Sequence, residues 1–231
     1  EKELYQQKID FFTRVAHEIR TPLTLIKAPM DKIFKSVERI PDIRREVEIM
    51  NKNTDRLLTL TNQLLDFQKV ESGSYMLHTE PRDIVAMVKE VYQNFQPKAE
   101  KRGIQYVCKT PDEPVVGNVD ADGIFKIIGN LLDNAIKYCQ SYTLLEVYTT
   151  LGKDGKEYEV VIKVSNDGKI IPEEERVYIF DAFYSAGRSS LFESTGIGLS
   201  LARSIALLHK GSLEYSTDGK FNIFTCVIPV A

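Results

Sequence analysis

The chain reads as an all-α helical hairpin, of the kind that pairs into a dimeric four-helix bundle, followed by an α/β sandwich domain. Three features carry this expectation. Apolar residues recur at steps of three and four through the first third of the chain, the spacing of a helix with one apolar stripe. The polar stretch Glu71-Ser72-Gly73-Ser74 then breaks that rhythm. Beyond it, short alternating segments interleave with amphipathic helical ones, the pattern of a mixed α/β layer structure.

The first helix is expected from about residue 3 to residue 38, with its stripe at Ile9, Phe12, Ala16, Ile19, Leu23, Ile26, Met30, Ile33 and Val37. Pro22 and Pro29 interrupt it. An interior proline loses one backbone hydrogen bond and crowds the preceding turn, so Pro22 reads as a bend tolerated for function. Pro41-Asp42 opens a second helix whose stripe runs Ile43, Val47, Met50, Thr54, Leu57, Thr61, Leu64 and Gln68, widened by Leu58 and Leu65. That is a seven-residue repeat. Two one-striped helices joined by a short turn form an antiparallel hairpin. Alone it has a poor core, so a homodimer is expected, with a heteromeric partner as the competitor. The boundary divides the chain into residues 1–73 and 74–231.

In the second part, strands are expected at Leu77–Glu80, Ile104–Lys109, Val115–Val119, Leu144–Thr150, Tyr158–Ser165, Ser212–Tyr215 and Phe221–Ile228. Helices are expected at Ile84–Lys101, Asp120–Tyr138, Pro172–Phe180 and Gly196–Leu208, with a mobile loop from Tyr184 to Thr195. The sheet should be largely antiparallel, with its helices on one face.

Composition narrows the function. With 231 residues, 43% hydrophobic and 27% charged, the chain is globular rather than disordered. A formal charge of −3 gives no basic stripe for nucleic acid. Cys108, Cys139 and Cys226 are far apart and read as reduced thiols rather than a metal cluster. No run approaches the roughly 20 apolar residues that cross a bilayer, so this stretch is expected to make no direct membrane contact. Glu1 is not an initiator methionine and the first helix is already under way at Leu4. The chain is therefore expected to be cut from something longer.

Two constellations suggest chemistry. His17 projects almost opposite the apolar stripe at about 100° per residue, and Glu18 follows it at once. A lone surface histidine is commonly unremarkable; a carboxylate placed to hold or deprotonate the imidazole makes His17 a candidate nucleophile. Asn130, Asn134 and Lys137 share one face of a helix whose other side is isoleucine and leucine. Amide oxygens one turn apart suit a hard cation, and lysine suits phosphate. Together they suggest a nucleotide–Mg²⁺ site. Glycines in Asn166-Asp167-Gly168 and Thr195-Gly196-Ile197-Gly198-Leu199 sit at loops where backbone N–H groups can approach phosphate. Neither P-loop nor Rossmann spacing is present.

Taken in order, five motifs resemble the boxes of the sensor histidine kinases of two-component signalling. His17-Glu18-Ile19-Arg20-Thr21-Pro22-Leu23 resembles the phosphoacceptor box, Asn130 to Tyr138 the asparagine box, and Asn166-Asp167-Gly168 the first glycine box. Ile179-Phe180-Asp181-Ala182-Phe183-Tyr184 resembles the phenylalanine box, and Gly196-Ile197-Gly198-Leu199 the second glycine box. The resemblance covers essentially the whole chain. It implies a dimerisation and histidine-phosphotransfer domain followed by an ATP-binding sandwich of the GHKL type, shared with the Hsp90-like ATPases.

The resemblance further implies that Asn134, aided by Asn130, holds Mg²⁺ while Lys137 meets the phosphates of ATP. Tyr138, Asn166, Asp167, Gly168, Phe183, Thr195, Gly196, Ile197, Gly198 and Leu199 fall within the nucleotide-binding boxes. His17 would attack the γ-phosphorus with Glu18 orienting or deprotonating it, and pass the phosphoryl group to an aspartate on a response regulator receiver domain. Thr21 matches the position that helps place water for dephosphorylating the regulator. An upstream sensor segment is implied, as is a cytoplasmic location beneath an inner-membrane sensor, and a hybrid parent carrying its own receiver domain stays open.

Three positions depart from the family pattern. Asn166 stands where an aspartate usually receives the adenine amino group; its oxygen can still accept that bond without charge, and Asp167 could substitute if the loop register shifts. Ile170 replaces a glycine whose backbone would favour φ > 0, and Ser194 replaces the first glycine of the second glycine box. Two rivals stand beside this reading: an ATPase or chaperone of the wider superfamily sharing the nucleotide fold, which hydrolyses without a histidine adduct, and a degenerate, weakly ATP-binding dimeric scaffold, for which these departures are the motive. Against both stands the survival of His17, Glu18, Asn130, Asn134 and Lys137 together.

Overall fold

The computed structural model describes residues 19–21, 23–31, 33, 41–152, 158–184 and 196–230. It divides into two compact units, Glu1–Tyr75 and Met76–Ala231. His17, Glu18, Pro22, Thr195 and most of the expected 184–195 loop lie outside the described residues.

In the first unit the described residues between 19 and 33 are helical (α1), and the helix continues through Pro29. Helix α2 spans Pro41–Glu71, and Gly73, two residues beyond it, takes a positive φ. Arg20 donates to Asn62 Oδ1, Lys27 donates to Asn51 and Asp55, and the Thr54 hydroxyl oxygen lies 3.7 Å from Met30 Sδ. Partners descend α2 as α1 ascends, so the pair is an antiparallel hairpin. Each expected single stripe resolves into two columns with a period of seven. Leu23 and Met30 on α1 and Val47, Thr54 and Thr61 on α2 are buried. Both threonines are tolerated there because each hydroxyl donates to the carbonyl four residues back, Met50 and Leu57. Ile19, Ile26 and Ile33 on α1, with Ile43, Met50 and Leu57 on α2, stay exposed.

The second unit places a five-stranded sheet against α3 (Ile84–Lys101), α4 (Ala121–Tyr138) and α5 (Gly198–Leu208). Its order is β2 (Gln105–Lys109), β4 (Tyr142–Leu151), β5 (Tyr158–Asn166), β7 (Asn222–Val230), β6 (Ser212–Thr217). Only β2–β4 is parallel. β1 (Thr79–Asp83) pairs with β3 (Val116–Asp120) in a separate small sheet.

The core forms where α4 meets the sheet. Ile124, Ile127, Ile128, Leu131, Leu132 and Ile136 are fully buried, as are Leu145, Val160, Ile162, Val164 and Cys226 on the strands. Burial pushes the Cys226 thiol up to about 12, leaving it inert and reduced; all three cysteines are free. Asp120 caps α4: Oδ1 accepts from Gly123 N and Oδ2 from His78 N, both at 2.7 Å. One carboxylate thus joins a helix start to the chain entering β1.

Two expected elements differ. The first strand runs Thr79–Asp83 rather than Leu77–Glu80, because its position is set by register with β3, Thr79 opposite Asp120. Its sequence has no apolar alternation to reveal that register. The expected helix Pro172–Phe180 is only one 3₁₀ turn, Glu173–Glu175, followed by hydrogen-bonded turns. Val177 and Tyr178 stay exposed, so little apolar area repays the nucleation cost of so short a helix.

Replacing Asp120 with alanine removes the α4 cap and the bond to His78 N at once. Urea unfolding of this variant should show a loss of about 1–2 kcal/mol, the scale of a lost N-cap; an unchanged midpoint would contradict the dual role.

Candidate functional site

A cavity of about 300 Å³ opens in the second unit between α4, the ends of β5 and β7, and the start of α5. Asn134 and Tyr138 line it from α4 because the six buried aliphatic residues of that helix face the sheet and turn its polar side outward. Asn166 and Asn222 line it from adjacent strands, where they are register partners. The segment after β5 supplies Ile170, Ile171 and Glu175, and α5 supplies Gly198 and Leu199.

The α5 end has no side-chain cap, so its first N–H groups are available beside the cavity, where the helix dipole favours an anion. Gly196 sits just ahead with φ +67, packed so tightly on Phe183 and Tyr184 that no side chain fits. Phe183 N donates to Gly196 O at 3.0 Å, which ties together the two ends of segment 185–195. Phe183 itself has φ 67, an uncommon conformation for a bulky residue. Tyr184 lines the cavity; desolvation first, then the adjoining Glu175 by charge and hydrogen bond, pushes its phenol up.

Some expected site residues sit beside the cavity rather than on its wall. Asn130 is one turn back from Asn134; its Nδ2 donates to Lys126 O at 2.8 Å and its Oδ1 closely approaches Gly198. The Lys137 amine lies 4.7 Å from the Tyr138 ring centroid, a cation–π contact. Ile197 is buried as the residue before α5. Thr21 belongs to the first unit and is exposed on α1. Among the described residues, no group of three or more His, Cys, Asp or Glu could hold a metal, so any cation here depends on amide oxygens.

The expectation that Asp167 could stand in for Asn166 is corrected. Its carboxylate accepts from Gln140 N (2.9 Å), Ser141 N (3.0 Å), Tyr142 N (3.0 Å) and Ser141 Oγ (2.7 Å), and it is not a lining residue. It fastens the start of β4 instead. Gly168 packs its Cα against the Tyr138 carbonyl, where a Cβ would collide; its role is close packing. Ile170 takes no positive φ, a conformation found among described non-glycine residues only at Phe183 and Lys210. The missing glycine there therefore imposes no strain, and the isoleucine becomes cavity wall.

Asn222 belongs to none of the sequence motifs. Its Oδ1 accepts from Ile171 N at 3.1 Å and Tyr215 OH at 2.9 Å, and its Nδ2 donates to Gly168 O at 3.2 Å and Lys169 O at 3.1 Å. One side chain thus holds the 168–171 segment onto β7. An asparagine inside the alternating strand Asn222–Val230, where Ile, Phe and Val dominate, was the available signal.

This sandwich, with its cavity under an uncapped helix, is that of the ATPases related to histidine kinases, DNA gyrase B and HSP90, and residues 119–231 match that family. Residues 7–73 match the His Kinase A (phospho-acceptor) domain. The chain belongs to the sensor histidine kinases and comprises their catalytic core. It is similar to hybrid signal transduction histidine kinase D of Dictyostelium discoideum, 33% identical over 94% of this chain and 14% of that protein. It is 33% identical to sensor histidine kinase MtrB of Mycobacterium leprae over 95% of this chain and 39% of the relative. WalK of Bacillus subtilis is 27% identical over 99% of this chain and 38% of its own length. The chain thus spans well under half of each of these relatives. Among solved structures, full-length ShkA in complex with AMPPNP shares the fold at TM-score 0.77 and 23% identity, covering 96% of this chain and 46% of ShkA. The catalytic domain of histidine kinase ThkA matches at TM-score 0.57 and 26% identity, over 67% and 99%.

The Asp167 carboxyl is pushed up by partial desolvation, but the Ser141 hydroxyl and the three backbone N–H groups outweigh this and hold it below its ordinary 3.8. A carboxyl lowered on folding stabilises fully above its unfolded value and ceases to do so as pH falls through its folded value. Asp167→Asn should therefore be less stable than the parent at pH 7, with the gap closing below pH 3.8. Thermal unfolding across that range reads the difference; a pH-independent gap would contradict the assignment.

Proposed function

We propose that residues 74–231 bind Mg²⁺–ATP in this cavity and that residues 1–73, the dimerisation and phosphotransfer domain, present His17 to the γ-phosphate. The observation that carries this reading is the convergence of Asn134, Asn166 and the uncapped α5 N-terminus on one cavity, in a chain that also matches the phospho-acceptor domain. Asn134 would hold Mg²⁺ through its amide oxygen, with Asn130 one turn behind. The cation supplies charge neutralisation for the transferring phosphoryl group. Lys137, already at the rim over Tyr138, would reach the phosphates, and the α5 backbone would receive their negative charge.

Imidazole retains its lone pair near neutral pH. Glu18 would orient or deprotonate it, and in-line attack by His17 then needs alignment more than covalent assistance. The product is an N-linked phosphohistidine, whose group passes to an aspartate of a response regulator receiver domain. Thr21 would help place water for hydrolytic dephosphorylation of that regulator. Ile170 no longer favours the scaffold rival, since the backbone accepts it without strain.

Incubation with γ-labelled ATP and Mg²⁺ should give an acid-labile, base-stable label. His17→Gln should abolish the label and leave nucleotide binding intact, whereas Asn134→Ala should lose both. Label persisting in His17→Gln would sink the nucleophile assignment.

Homodimerisation follows from the exposed columns. Ile19, Ile26, Ile33, Ile43, Met50 and Leu57 form the unpartnered side of the hairpin, and two hairpins would bury these columns as a four-helix bundle. No helix among the described residues is long and apolar enough to cross a membrane; the reading places this core on the cytoplasmic side of an inner-membrane sensor whose upstream segment reads the signal. Leu57→Glu should shift the chain from dimer to monomer in sedimentation analysis, with the unfolding of the second unit unaltered. A variant that stays dimeric would mean another surface pairs.

A further inference from the structure

Residues 167–172 follow β5 without regular secondary structure, yet Lys169, Ile170, Ile171 and Pro172 form one wall of the cavity. A stretch outside any strand or helix must find partners for its backbone groups elsewhere. Side chains supply them. Asn222 Nδ2 donates to Gly168 O and Lys169 O, and Asn222 Oδ1 accepts from Ile171 N. Arg176 Nε donates to Ile171 O at 3.1 Å. Tyr215 of β6 joins both holds. Its hydroxyl donates to Asn222 Oδ1 at 2.9 Å, and the Arg176 guanidinium lies 5.8 Å from its ring centroid. The same ring lies 5.4 Å from that of Phe224, its register partner on β7. Phe224 and Asn222 line the cavity, whereas Tyr215 and Arg176 do not.

We propose that Tyr215 is a positioning residue for nucleotide binding, which acts through Asn222, with Arg176 as a second hold, to fix the 168–172 wall. The inference rests on the nucleotide-site reading above. An amide has two donor hydrogens and an oxygen with two acceptor sites, and Asn222 uses all four. Three of those bonds go to the wall itself. The fourth, from the Tyr215 hydroxyl, ties the amide to the neighbouring strand. Without that hydroxyl Asn222 keeps its grip on the wall, but amide and wall can move together. Arg176 repeats the pattern, since it holds Ile171 O while its guanidinium rests against the Tyr215 ring. A wall that moves lowers affinity, because the ligand must then order it on binding. The anion end of the cavity, at Asn134 and the start of α5, is built on other elements. Alignment of the phosphoryl group therefore does not depend on Tyr215.

Tyr215→Phe in the intact chain tests this, because it removes the hydroxyl and keeps the ring against Phe224 and Arg176. The dissociation constant for Mg²⁺–ATP, read by calorimetry, should rise about three- to tenfold, the scale of one net hydrogen bond. KM for ATP in autophosphorylation should rise with it, while kcat does not fall. Amide exchange at Ile171, followed by NMR without nucleotide, should quicken in the same variant. A tyrosine with a purely structural role predicts a different pattern, a lower urea midpoint with an unchanged dissociation constant. That pattern overturns the proposal, as does a loss confined to kcat or unaltered exchange at Ile171. Arg176→Met, which loses the Nε donor, should also raise the dissociation constant, and indifference to it would overturn the second hold. If the parent chain binds no Mg²⁺–ATP, the nucleotide-site reading fails and this inference falls with it. Parent binding that Tyr215→Phe leaves untouched overturns this inference alone.

Discussion

The second unit depends on the two-sidedness of α4. Six isoleucine and leucine side chains on one face are fully buried against the sheet, each stabilising the fold by roughly 25 cal/mol per Å² of apolar area removed from water. A helix committed so completely on one side has no rotational freedom left. Asn134 and Tyr138 are therefore aimed into the cavity by hydrophobic burial a turn away, and Asn130 is pressed against the start of α5 for the same reason. The polar site is a consequence of the apolar seam.

Polar staples then shape the ends that the seam leaves loose. Asp120 ties the start of α4 to the chain entering β1, Asp167 gathers three consecutive N–H groups at the start of β4, and Asn222 draws the 168–171 segment onto β7. Each satisfies backbone groups that would otherwise be stranded near the core, and stranded groups are costly. Against that background Asn166 stands out by its idleness. Its Nδ2 is buried without a hydrogen-bond partner.

The first unit follows a different logic. Its hairpin buries one heptad column of each helix and displays the other. A sequence carrying two apolar columns per helix while the hairpin buries only one is built for association, which fits its place among phospho-acceptor domains. Buried Thr54 and Thr61 weaken the inner seam relative to an all-aliphatic one, yet both hydroxyls are satisfied within their own helix, so neither demands a partner across it.

By itself the sequence determined the long elements and the order of the motifs. Helical periodicity is a local property, so the bounds of α3 and the start of α2 were legible from residue spacing, as were the alternating strands β4, β5 and β7. The Asn134 face was legible too, because the opposite side of the same helix is uniformly aliphatic. Only the tertiary structure decided the rest. The position of β1 depends on β3, some forty residues away in sequence. The short segment after Pro172 lacks the apolar area to become a helix. The different fates of Asn166, Asp167 and Asn222 are set by which backbone groups each meets across strands. Residue type and local spacing reveal a side chain's capacity to form hydrogen bonds; which of those bonds are already taken depends on non-local packing.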